Sequence, residues 1–150
     1  MVTVPPDAVE FLLSRGRLER VEPSVTSAGF LVAEARRHVV SAGTLAETDP
    51  SMAFVAAYDG ARKAMTAVLA AQGLRAAAGE GGHTVLLDAL RSQFPDDREV
   101  LQQFDWMRAT RNATAYPDSD HPTATRADVV EAVPAATAII DLAVRFLDLP

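Results

Sequence analysis

Arg108, Arg111, Asn112 and Tyr116 fall close together at the end of the segment Leu101-Gln-Gln-Phe-Asp-Trp-Met-Arg-Ala-Thr-Arg-Asn-Ala-Thr-Ala-Tyr116. Guanidinium groups carry a rigid, planar fork of donors that matches phosphate oxygens. If this segment is helical, Leu101, Phe104, Arg108, Asn112 and Ala115 share one stripe, with Arg111 beside it. The stripe starts apolar and ends polar. Packing through Leu101 and Phe104 then aims Arg108 and Asn112 into the bundle or into a cleft at its end, where they form a candidate anion site. Two plainer roles remain open. Arg108 can pair with Asp105 or with an acid on another helix, and Asn112 can satisfy backbone groups at a helix end.

The three histidines offer less. His83 stands beside Gly81 and Gly82 at an expected helix start, where it could touch a substrate, cap the helix or pack. His38 follows Arg36 and Arg37, a basic run that reads as a solvated face or as an RNA-facing patch. His121 lies in an acidic turn with Asp118 and Asp120. There is no His-Glu-x-x-His, no P-loop and no dinucleotide-binding glycine pattern, so the sequence assigns no metal and no cofactor. Serines, histidines and aspartates show no triad-like spacing. Trp106 is placed in packing or at a dimer surface.

The elements that must position these groups are helices. Proline and glycine divide the chain into blocks. Helices are expected from about Pro6 to Val21, from Ser24 to Ser41 with Gly43 as the stop, and from Asp49 to Gly73. The third carries the clearest stripe, Phe54, Tyr58, Ala61, Met65, Val68 and Gln72, spaced by four and three. Arg75 to Gly82 reads as a loop. Further helices are expected from Gly82 to Phe94, from Asp97 to Ala115 and from Thr125 to Leu147. Pro117 to Pro122 is read as an acidic turn between the last two. Phe30, Leu31, Val32, Ala35 and Val39 mark the apolar side of the second helix. Val130, Val133, Thr137, Ile140, Val144 and Leu147 mark that of the last, which Pro134 is expected to kink or interrupt. No segment shows sustained strand alternation. The expected fold is all-α, an up-and-down bundle of about five to six helices, in one domain over residues 1–150.

Composition sets the bounds. Hydrophobic residues make up 49% of the 150 residues, enough for a core without disulfides or metal. The absence of cysteine excludes a disulfide framework and a thiol nucleophile, and fits a reducing cytoplasm. No signal peptide and no membrane-spanning stretch are expected. A net charge of −6 argues against binding nucleic acid through bulk charge, though a local basic groove remains compatible with it.

Three features together resemble the HEPN superfamily. One is the small-residue helix Ala56-Ala-Tyr-Asp-Gly-Ala-Arg-Lys-Ala64, followed by Leu69-Ala-Ala-Gln-Gly73. Another is the glycine-rich loop leading to Gly82-His83-Thr84. The third is Arg111-Asn112 near the end of a long helix. They cover roughly residues 50 to 116, and the Ala- and Arg-rich cast is similar to an actinobacterial branch of that superfamily. The resemblance implies a homodimer whose two signatures meet in one cleft. In active members, an arginine followed by a polar residue holds the scissile phosphate of RNA, and a histidine a few residues later transfers protons without a metal. Here Arg111 and Asn112 match, and Tyr116 stands where the histidine is expected. A tyrosine, with an ordinary pKa of about 10, is a poor base at neutral pH. The resemblance therefore implies binding of RNA or a nucleotide phosphate through Arg111 and Asn112, with weak or absent ribonuclease activity; Arg108 and His83 are added as candidate substrate contacts from their own positions. A true endoribonuclease using Tyr116 is a further reading. A different one is a non-enzymatic dimeric module that binds a cognate protein, as in the toxin–antitoxin pairs of this superfamily, through the stripe from Phe54 to Gln72.

Overall fold

The computed structural model describes residues 6–79, 81–115 and 123–150. Its elements run α1 (Pro6–Ser14), β1 (Leu18–Arg20), α2 (Val25–Leu45), α3 (Pro50–Ala71), β2 (Leu74–Ala76), α4 (Gly82–Gln93), α5 (Arg98–Ala115) and α6 (Arg126–Leu147), with a 3-10 turn at Pro95–Asp97 before α5. The all-α bundle expected from the sequence is present. Two expectations change. The first helical block ends at Ser14, and the expected loop after Gly73 begins with a strand. β1 and β2 pair antiparallel, Leu18 with Ala76, Glu19 with Arg75 and Arg20 with Leu74. Strands of three residues are too short to leave a period-two pattern. The Arg75 guanidinium donates to Glu19 across the pair.

Local chemistry explains where the helices begin. Ser24 caps α2 by accepting from the Ser27 amide, and Asp49 caps α3 by accepting from Met52. Thr125 and Asp128 form a reciprocal capping box at α6. The stops are less simple. α2 runs through Gly43 to Leu45, because its packing along α3 outweighs a glycine cost of about 1 kcal/mol. α6 likewise continues through Pro134. Proline there removes the bond to the Val130 carbonyl, and Val130 is 64% exposed, so the loss falls on the solvent side. Gly73 follows α3 at φ +73°; a Cβ there would lie 2.8 Å from Pro23 Cγ and 2.9 Å from the Val21 carbonyl. Glycine is needed at that corner on both counts.

α3 is the central helix, flanked by α2 and α6. Phe54, Tyr58, Ala61, Met65 and Val68 are fully buried within this chain. The stripe is core, which removes it as a docking surface. α2 buries Ala28, Val32, Ala35 and Ala42, whereas Phe30, expected on the apolar side, is 63% exposed. α6 is turned in the same sense. It buries Val129, Ala132, Ala136, Ile139, Ile140 and Ala143 and leaves Val130 and Thr137 outside. In both cases alanines face α3, since small side chains let helix axes approach closely. Gly60 shows how close: a Cβ on it would sit 3.1 Å from the Ala35 carbonyl of α2. On α2, His38 is not simply solvated, because its Nε2 accepts from Lys63 Nζ at 2.7 Å. Among the described residues no helix is long and apolar enough to cross a membrane.

Candidate functional site

α5 lies against α3 and α4 through Leu101, Phe104 and Met107, all fully buried. The same stripe continues to Arg108 and Asn112, as the spacing predicts. The ring of Phe104 stacks on that of Tyr58, with centroids 5.0 Å apart and planes at 14°. Tyr58 in turn reaches α4. Its hydroxyl lies 2.5 Å from Nδ1 of His83, the second residue of that helix. Trp106 packs edge-on against Phe54. Stacked aromatics thus connect α5, α3 and the start of α4, and fix the groups at their surface end.

Three arginines surround this connection. The Arg111 guanidinium lies over the Tyr58 ring, 5.8 Å from its centroid. Arg62, one turn after Tyr58 on α3, contacts Asp59 at 3.6 Å. Arg108 donates to Asp105 at 3.1 Å, so the ion pair open on sequence grounds is formed. That bond uses one terminal nitrogen. The Nε atoms of Arg108 and Arg111 are buried and have no hydrogen-bond partner among the described residues. Among the described residues, two aspartates stand against three arginines at this corner.

A cavity of about 320 Å³ opens beside these groups. Arg108 and Asn112 line one side; Gly79, Gly81, Gly82, His83 and Thr84 line the other. Gly81, at φ +84°, precedes α4 and offers no side chain to cap it. Among the described residues no side chain accepts from the first amides of the helix, and the positive end of its dipole faces the same cavity. A helix start, a guanidinium and an amide converging on one small space are the chemical features that suit an anion.

Protonation states follow from the surroundings. Burial pushes the Tyr58 phenol up to about 12, against the opposing pull of Arg111, Arg62 and Arg108. Burial also holds His83 below its ordinary range; Arg62 and Arg111 push the same way, and Asp59 opposes them. At neutral pH both groups are uncharged. The buried Tyr58 hydroxyl has His83 Nδ1 as its hydrogen-bond partner among the described residues and donates to it. The imidazole proton then sits on Nε2, an assignment made from the hydrogen-bond network. In that tautomer His83 offers a ligand a donor and no basic nitrogen.

The sequence-predicted residues are thus only partly brought together. Arg108, Asn112 and His83 meet at one cavity. Arg111 lies behind them, over Tyr58. Tyr116 and His121 fall outside the described residues. Sequence reasoning missed Tyr58 and Arg62 as site residues. The available signal was a single phenol in a stripe otherwise made of apolar side chains and Gln72, because a buried hydroxyl needs a partner.

The family model for the HEPN domain matches residues 29–147. The chain belongs to the HEPN family. The match runs from within α2 to the end of α6 and includes every residue of the site just described. This HEPN chain has no match among curated proteins and none among solved structures. The HEPN match covers β2 and the start of α4, so the glycine-flanked loop is part of the matched region, whereas β1 lies before it.

Proposed function

We propose that this HEPN domain binds the phosphate of RNA or of a nucleotide in the cavity between the start of α4 and Arg108 of α5. The single observation that carries the reading is the convergence there of Arg108, Asn112 and His83 with the first turn of α4, whose N-cap residue Gly81 has no side chain. Arg108 supplies charge, Asn112 and the Nε2–H of His83 supply donors, and Arg111 adds positive potential from behind the Tyr58 ring. Ribonuclease activity is weak or absent in this reading. Tyr116 stands in the histidine position of the signature, and His83 is held by Tyr58 in the tautomer that cannot accept a proton from a ribose hydroxyl.

Incubating the purified protein with labelled RNA and with nucleotides tests this, with Arg108→Ala and Arg111→Ala as controls. Binding that falls in both variants, more steeply in Arg108→Ala, is the expected result. No binding by the parent protein at low salt overturns the proposal. Metal-independent RNA cleavage that disappears in His83→Ala overturns the assignment of His83 as a donor.

A further inference from the structure

Another cavity, of about 420 Å³, opens where α1 meets the second half of α4 and the first residue of α5, and it shares no lining residue with the candidate site. Phe11 and Leu12 of α1 give it an apolar side. The Phe11 ring is 56% exposed, and the Arg15 guanidinium lies 5.3 Å from its centroid. Around this apolar side stand three more guanidiniums from separate stretches of chain, those of Arg17, Arg91 and Arg98.

Local structure puts each arginine there. Gly16, at φ +69°, closes α1. Its amide donates to the Leu13 carbonyl and the Arg17 amide donates to that of Leu12, which folds Arg17 back beside the helix it follows. Arg91 belongs to the last turn of α4. Arg98 is the first residue of α5, where the helix dipole favours an acid over a base. Among the described residues the one carboxylate in the lining is that of Asp88, which accepts from Arg91 at 3.3 Å. Arg17 and Arg98 form no ion pair among the described residues.

We infer that this cavity binds a small dicarboxylate whose two acid groups are joined by a flat hydrocarbon body. The planar fork of a guanidinium matches a carboxylate. With Asp88 answering Arg91, the arginines left to answer come from two different stretches of chain, which suits two separate anionic groups better than one. The body of the ligand lies against Phe11 and Leu12, where an aromatic ring gains most from an offset or edge contact with the phenyl. The volume lies within the usual range for small-molecule pockets. Phe11, Leu12 and Arg17 precede residue 29, so this half of the cavity lies outside the region that the family model matches.

Calorimetric titration of the protein with isophthalate, benzoate and succinate at fixed ionic strength tests the inference. Isophthalate should bind about tenfold or more tightly than benzoate, which lacks the second acid, and than succinate, which lacks the ring. Arg17→Gln and Arg98→Gln should each weaken isophthalate about fivefold or more, and Phe11→Ser should bring it down to the level of succinate. All three side chains are exposed, so the fold should survive each change. Circular dichroism checks this, and either arginine variant suffices if the other is unfolded. Isophthalate that does not bind saturably overturns the inference. So does isophthalate that binds no better than benzoate or succinate, or that binds the folded arginine variants as tightly as the parent.

Discussion

The hydroxyl of Tyr58 on α3 and Nδ1 of His83 at the start of α4 meet at 2.5 Å across twenty-five positions of sequence. This contact ties the most buried helix to the loop that borders the candidate site. It also sets what the imidazole can do. A phenol that donates to Nδ1 leaves the neutral imidazole with its proton on Nε2.

Replacing Tyr58 with Phe removes that donor while keeping the ring stacked on Phe104. We expect a stability loss of about 1–2 kcal/mol, from a lost buried hydrogen bond and an unsatisfied imidazole nitrogen. Urea unfolding at neutral pH measures it. The same variant frees the His83 tautomer, so phosphate affinity should fall with the fold intact. A loss of stability without any change in phosphate binding would separate His83 from the site.

The pH dependence has a definite sign. The folded-state pKa of His83 is depressed, by burial first and by Arg62 and Arg111 next. Its contribution to stability is therefore present above the ordinary histidine value of about 6.5 and is lost as pH falls from there through the folded pKa. Tyr58 behaves oppositely. Its pKa is raised to about 12, so its contribution is present below about 10 and is lost as pH rises through 12. The His83 ring protons, followed by NMR, should titrate below the ordinary histidine midpoint. Comparing denaturation of the parent with His83→Asn between pH 7.5 and 5.5 checks the linkage. The parent should lose more stability than the variant over that interval.

The register of α6 gives a test of the packing. Ala136 is fully buried and Val130 is 64% exposed, the reverse of what the hydrophobic stripe on the sequence implies. Ala136→Leu should cost about 1–3 kcal/mol by overpacking the contact with α3. Val130→Ala should stay within about 0.5 kcal/mol of the parent, as exposed substitutions do. Thermal denaturation of the two variants distinguishes the observed register from the sequence-derived one.

The contrast on α6 shows how far the sequence could be read. Helix existence was legible because capping residues such as Ser24, Asp49 and Thr125 announce themselves, and because Pro50 and Gly73 bracket α3. Helix orientation was less so. Hydrophobic stripes point to large apolar side chains, whereas tight packing here selects alanines, which carry little signal in such patterns. Gly43 and Pro134 looked like interruptions and are absorbed by tertiary packing on α3. The β1–β2 pair was invisible for its brevity. At the site, Arg108 and Asn112 were legible from their spacing behind Leu101 and Phe104. His83 was recognisable as a residue at a helix start, but its hydrogen bond to Tyr58 depends on how α3 and α4 meet. Arg62 was hidden for the same reason, since only the packed bundle brings it beside His83.

The central claim is that a phosphate sits between the start of α4 and Arg108. A titration of isotopically labelled protein with inorganic phosphate at fixed ionic strength, followed through backbone amide and arginine Nε resonances, tests it most directly. The account predicts saturable shifts concentrated at Gly81, Gly82, His83, Thr84 and the Arg108 side chain, and their loss in Arg108→Ala. Shifts spread over exposed arginines such as Arg37 and Arg126, or no saturable shift at all, would contradict it.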